Sequence, residues 1–243
     1  MAAIELKKLT KDFNGRPAVK GIDLLIGKGE CFALLGQNGA GKTTTIKMLC
    51  CLLPPTSGDA ILLGSSIVTD CGAVKQKINL SPQETAVAAK LTVLENLVLA
   101  AEIYGAGKAQ AKAKAEAMLE RFHLVERRND KAKTLSGGLR RRLSIAMALI
   151  SEPAILFLDE PTLGLDVRAR RDLWKVIESL RGQVTIILTT HYLEEVEALT
   201  DRLAILHRGE VRAVGTVEEV KAAAGKESFE EAFLALTDEG EVY

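Results

Sequence analysis

The sequence predicts an α/β fold on three observations. Short apolar runs recur along the chain as strands, helix-forming stretches separate them, and one glycine-rich loop joins an apolar strand to a helical run. Several of the apolar runs are unbroken rather than alternating, which suits strands buried on both faces of a mainly parallel sheet covered by helices. The chain of 243 residues, 47% of them hydrophobic, can bury a substantial core as one domain or two intimate subdomains.

In chain order, residues 3–9, 22–26 and 31–35 are the first strands, and these three pieces can form an antiparallel flank at the N-terminus. A glycine-rich loop follows and leads into a helix over 44–52. From about Glu84 to Pro153 the texture changes to helix formers at 93–104, 109–122 and 138–151, with no strand pattern, which predicts a helical insertion within the α/β core. The stretch 109–117 is low in complexity and highly charged, yet Met118, Leu119 and Phe122 give it a packing face. Strands at 155–158, 184–189, 203–206 and 211–214 then return, with a helix at 167–180. The expected organisation is a nucleotide-binding core of residues 1–83 and 154–220, a helical subdomain of 84–153, and a small helical tail of 221–243.

Composition excludes several classes. Lys plus Arg equals Asp plus Glu at 32 each, so no net basic field draws the chain to nucleic acid or an anionic membrane. Nowhere do about 18 consecutive apolar residues occur, as a spanning helix requires, so the chain is expected to be soluble and cytoplasmic. Cys31, Cys50, Cys51 and Cys71 lack metal-ligand spacing and read as reduced core residues, with Cys50 and Cys51 in a buried helix.

The loop reads Gly36, Gln37, Asn38, Gly39, Ala40, Gly41, Lys42, Thr43, with Thr44 next. Its glycines let consecutive amides converge on phosphates, and the following helix adds the positive end of its dipole. Lys42 is expected to reach the β/γ-phosphates and the Thr43 hydroxyl to ligate Mg²⁺. Farther on, Ile-Leu-Phe-Leu leads into Asp159 and Glu160. Two acids at the carboxyl end of a buried strand face the crevice where open α/β sheets bind ligands. Beside a nucleotide, Asp159 would hold Mg²⁺, directly or through water, and Glu160 would polarise the attacking water as general base. Leu135, Ser136, Gly137 and Gly138 begin a helix whose apolar positions are Leu139, Leu143, Met147 and Ile150. Ser136 suits an N-cap, and such a helix start is also a second anion site, whose phosphate must come from elsewhere.

Taken in order, the phosphate loop, Gln83, LSGG at 135–138, ILFLDE at 155–160, Asp166 and His191 resemble the ATP-binding-cassette (ABC) ATPase family over about residues 4–215. The resemblance implies a P-loop NTPase core that hydrolyses ATP with Mg²⁺. It also implies two cassettes closing head to tail, the LSGG segment of each on the γ-phosphate held by the other. Position by position, Phe13 resembles the aromatic residue that stacks on adenine. Gln83 matches the glutamine joining Mg²⁺ and the attacking water to the helical insertion. Asp166 matches the aspartate bridging the subunits, and His191 the histidine on the γ-phosphate.

One departure is Leu139, where family members usually carry Gln after LSGG; Ser136, Gly137 and Gly138 remain. The run 140–142, three arginines, reads as a solvated helix face rather than a nucleic-acid site. The segments Thr-Thr-His-Tyr-Leu-Glu-Glu at 189–195 and Phe-Glu-Glu-Ala-Phe-Leu at 229–234 resemble the branch serving multidrug, antibiotic, sodium or polysaccharide exporters; the second also fits an amphipathic helix sealing the core. The expected partners are an integral membrane permease and a second ATPase subunit, with the chain peripheral at the cytoplasmic face. The alternative is a soluble ABC ATPase acting on ribosomes, cluster assembly or DNA. Against it, the chain holds one cassette, and the stretch from Lys42 to Ser136 lacks sustained heptads.

Overall fold

The structure, a computed structural model, describes residues 2–238. Its strands are β1 (Ala2–Phe13), β2 (Arg16–Gly27), β3 (Cys31–Leu35), β4 (Ser57–Leu62), β5 (Ser65–Ser66), β6 (Ile78–Ser81), β7 (Ile155–Asp159), β8 (Thr185–Thr190), β9 (Arg202–His207) and β10 (Glu210–Gly215). The helices are α1 (Lys42–Leu49), α2 (Cys71–Lys75), α3 (Val93–Ile103), α4 (Lys108–Arg121), α5 (Gly137–Leu149), α6 (Val167–Glu178), α7 (Leu193–Leu199), α8 (Val217–Ala224) and α9 (Phe229–Thr237). Among the described residues, no helix is long and apolar enough to cross a membrane.

Two sheets organise the chain. One is antiparallel, in the order β2-β1-β4-β5; the other runs β10-β9-β3-β8-β7-β6 and is parallel except where β10 pairs with β9. The antiparallel flank therefore exists, but β3 is not part of it. Cys31–Leu35 is buried at every position, the mark of a central strand covered on both faces, and it lies between β8 and β9. Strands β4, β5 and β6 were not expected from sequence. Ser57-Gly58-Asp59 has little strand propensity, and pairing with β1 overrides it.

The pleat of the parallel sheet divides the core in two. Cys31, Ala33 and Leu35 of β3, with Leu156 and Leu158 of β7, face one cluster built with α3 to α9. Phe32, Leu34, Ile155 and Phe157 face the other, where α1 and the antiparallel sheet pack. In α4, Leu119 is fully buried beside Ala111 and Ala115, so the charged helix does have an apolar seam. Side-chain caps fix several starts: Thr92 and Glu95 form a capping box on α3, Thr216 and Glu219 another on α8.

The C-terminal helical part begins at Val217, ahead of the expected Lys221, and α9 buries Phe229 and Phe233 against the larger cluster. The last residues of the expected tail, 239–243, lie outside the described residues. Cys50 caps α1 and is buried, whereas Cys51 has left the helix with φ of 53° and is half-buried. The expectation of a helical, core Cys51 is corrected: a left-handed residue ends the helix there.

Candidate nucleotide site

The phosphate loop is built where β3 meets α1. Glycine is demanded at two of its positions. A Cβ on Gly36 would collide with the Leu206 carbonyl oxygen, and Gly41 combines φ of 103° with a Cβ position 2.6 Å from the Ala18 carbonyl oxygen. With those positions free of side chains, α1 starts at Lys42, two residues before the expected Thr44, with no side-chain cap on its first turn.

A cavity of about 430 Å³ opens over this loop. Asn38, Gly39, Ala40, Gly41, Lys42, Thr43 and Thr44 line it, facing Gln83, Glu160 and His191 across the gap. Lys42, only 6% exposed, donates from Nζ to the carbonyl oxygens of Gly36 (2.7 Å) and Gln37 (3.2 Å). Its ammonium also stands 3.4 Å from Glu160 Oε1. The other carboxylate oxygen of Glu160 lies 2.8 Å from His191 Nδ1. Glu160 thus sits between a lysine and a histidine, with its backbone in the left-handed region (φ 46°). That conformation is uncommon for a non-glycine residue, and the Glu160 amide donating to Thr189 Oγ1 at 2.9 Å helps hold it.

Asp159 ends β7. Its Oδ1 accepts from Thr189 Oγ1 at 2.6 Å and from Thr43 Oγ1 at 3.2 Å. A hydroxyl and a carboxylate side by side next to the loop make an oxygen-only donor set, the kind a small hard cation takes.

Other expected residues lie apart from the cavity. Ser136 caps α5, accepting from the Leu139 amide at 3.4 Å, and Asp166 caps α6, accepting from the Ala169 amide at 2.9 Å. Ser136, Gly137 and Asp166 are exposed. A Cβ on Gly138 would come 3.0 Å from Ala169 Cβ, so this glycine also lets the starts of α5 and α6 pack closely. Phe13 is 46% exposed at the end of β1, with the Lys11 ammonium 5.2 Å from its ring centre.

Sequence reasoning missed Arg141. The run 140–142 was expected to be a solvated face, yet Arg141 is 4% exposed. Its Nε donates to the Pro161 carbonyl (2.9 Å), Nη2 to the Asp159 carbonyl (2.6 Å), and Nη1 to the carbonyls of Pro82 and Gln83. One guanidinium therefore joins α5, the Gln83 segment and the end of β7. Burial pushes its pKa down to about 10, against the pull of Asp159, Glu195 and Glu160; it remains charged at neutral pH. Helical spacing held the signal in part, because 141 shares a face with the buried residues 145 and 148. Of the apolar positions chosen from sequence, Leu139 and Met147 are only partly buried. Glu195 was also missed. It is fully buried on α7, accepts from Trp174 Nε1 at 3.3 Å, and burial raises its carboxyl above the usual range.

The family model described as "ABC transporter" matches residues 19–163. The daunorubicin/doxorubicin resistance ATP-binding protein DrrA of Streptomyces peucetius is 42% identical over 224 residues, covering 92% of this chain and 68% of that protein. A solved ATP-binding subunit of an ABC transporter superposes with a TM-score of 0.86 at 30% identity, covering 97% of this chain and all of the other. A dimeric ATP-binding cassette in a post-hydrolysis state with ADP and Pi gives 0.79 at 27% identity, covering 88% of this chain and 98% of that one. The chain belongs to the ABC transporter family, as an ATP-binding subunit that hydrolyses ATP.

Proposed function

We propose that the chain energises export through a separate membrane subunit, closing head to tail with a second cassette over two ATP molecules. The placement of Glu160 carries this reading: its carboxylate stands between Lys42 and His191 at the wall of the phosphate-loop cavity. There it can take the proton of a water attacking the γ-phosphate. Lys42 exchanges the Gly36 and Gln37 carbonyls for phosphate oxygens, and His191 orients Glu160 through Nδ1 while its other nitrogen meets the γ-phosphate. Loop amides and α1 supply the remaining stabilisation, and such electrostatic positioning dominates phosphoryl transfer. Thr43 and Asp159 would hold Mg²⁺, with Gln83 reaching it from the cavity rim; the ion neutralises phosphate charge when bound.

Pairing of two cassettes is supported by Ser136 and Gly137, which are exposed and lie outside their own chain's cavity. The anion site at the start of α5 is then free for a partner's nucleotide. Asp166, exposed at the start of α6, would bridge the subunits, and the half-exposed Phe13 would stack on adenine.

The membrane subunit is assigned to an apolar groove of about 270 Å³ beside the Gln83 segment. Leu99, Ile103 and Tyr104 of the α3 region stand at 39, 72 and 52% exposure along it, an arrangement that marks an interaction site. Pro82 lines the same groove and its carbonyl is bonded to Arg141, so an occupant there touches the segment that reaches the nucleotide. On this reading the chain is peripheral at the cytoplasmic face of the membrane. The resistance relative favours export as the direction of transport.

Copurification from native membranes tests the proposal. The chain is expected to come away with an integral membrane protein; recovery solely with ribosomes or DNA would overturn it. Ile103→Glu places a charge in the groove and should abolish that copurification while leaving the ATPase rate of the isolated subunit unchanged. Retention of the membrane protein by this variant would remove the groove from the interface.

A further inference from the structure

At the end of α1 opposite Lys42, a pair of thiols carries chemistry that the nucleotide site does not use. Cys51 follows α1, and Cys71 opens α2. Both reach one acceptor: the Ile67 carbonyl oxygen lies 2.7 Å from Cys71 Sγ and 3.9 Å from Cys51 Sγ. The two sulfurs therefore converge on one carbonyl. Both are free and half-buried, and both line a surface groove of about 350 Å³ with Pro54, Pro55 and Val68. The other two thiols differ: Cys31 and Cys50 are buried in the core. The accessible pair is therefore also the adjacent pair.

We propose that Cys51 and Cys71 form a reversible dithiol–disulfide switch whose oxidant is a low-molecular-weight disulfide. The Cys71 sulfur, deprotonated, attacks one sulfur of the oxidant, whose S–S bond breaks and releases one thiolate. The Cys51 sulfur then attacks Cys71, the mixed disulfide breaks, and a second thiolate leaves. Both protein protons end on the two released thiols, so two protein thiols and one small disulfide become one protein disulfide and two small thiols. Burial, then the Cys71 thiol, pushes Cys51 up to about 12, with Asp59 adding to the rise and Lys75 opposing it. Cys51 is thus the thiol that waits and Cys71 the one that attacks first, and the surrounding redox poise decides closure: open where the poise is reducing, closed under oxidative conditions. The closed bond would tie the end of the phosphate-loop helix to α2 and lock the chain from 51 to 71, with β4 and β5 inside the loop.

Full-length protein treated with oxidised glutathione, alkylated and digested without reductant, tests this by mass spectrometry. The expected product is a peptide pair joined through Cys51 and Cys71, with two of the four thiols lost, both restored by dithiothreitol. The oxidised protein should melt at a higher temperature. Cys51→Ser should stop at a glutathione adduct on Cys71, and Cys71→Ser should yield no linked pair. Stable glutathione adducts without linkage in the unsubstituted protein, a bond from Cys51 to Cys50, or disulfide-linked dimers would each overturn the proposal.

Discussion

Glu160→Gln is expected to reduce ATP turnover by roughly 10²–10⁴-fold, the contribution of a positioned general base, while leaving ATP binding intact or tighter. The amide matches the carboxylate in size and can still meet His191, so the cavity keeps its shape. It cannot accept the proton of the attacking water, and chemistry stops. Binding follows a separate argument. In the structure Glu160 Oε1 is 3.4 Å from Lys42 Nζ, and both side chains are buried. The carboxylate therefore competes for the ammonium that a γ-phosphate would engage, and removing its charge ends that competition. With hydrolysis blocked, two chains should remain closed over ATP. Size-exclusion chromatography with Mg·ATP should show a dimer for the variant and a monomer for the parent after turnover. Unchanged turnover in the variant would rule out Glu160 as the base.

Parts of this site were legible in the sequence because they are local. The loop from Gly36 to Thr43, and Asp159 and Glu160 after an apolar run, are set by spacing within single segments, and the structure places Lys42, Thr43 and Glu160 at one cavity. The contact between Glu160 and His191 joins the ends of two neighbouring parallel strands, a relation that spacing within single segments does not encode. Strand pairing was the least legible. Cys31–Leu35 reads as a strand from its residues, but periodicity does not say whether neighbours run parallel or antiparallel, and β3 proved central rather than part of the flank. β6 carries Asn79 and Ser81 among its four residues and gains its conformation from pairing with β7. Arg141 was misread for a related reason: its partners are backbone carbonyls of Pro82, Gln83, Asp159 and Pro161, and carbonyls leave no mark in a sequence.

Arg141→Ala is expected to destabilise the protein by about 3 kcal/mol and to lower kcat far more than it changes the affinity for ATP. The stability loss follows from the acceptors left behind, since each orphaned buried carbonyl costs about 1–3 kcal/mol and water entering the space would satisfy some of them. The sign of the Arg141 shift bears on this. Its folded pKa lies below the ordinary value, so the unfolded chain binds the extra proton across a window that opens at about pH 10, and stability rises with pH across that window. Below it, holding the charge in the interior costs the folded state. A charged group kept there against that cost fits a role in fixing geometry. Its carbonyl partners lie on the segment bearing Gln83 and on both sides of Glu160, so losing the guanidinium should let the base and the Gln83 segment move relative to each other. The phosphate loop makes none of these bonds, which is why ATP affinity should hold. Arg141→Lys separates the two effects: an ammonium keeps the charge but lacks the planar fork that reaches several separate carbonyls. It should recover part of the stability while kcat stays low. Full recovery of kcat by lysine would mean that the position requires only a buried charge.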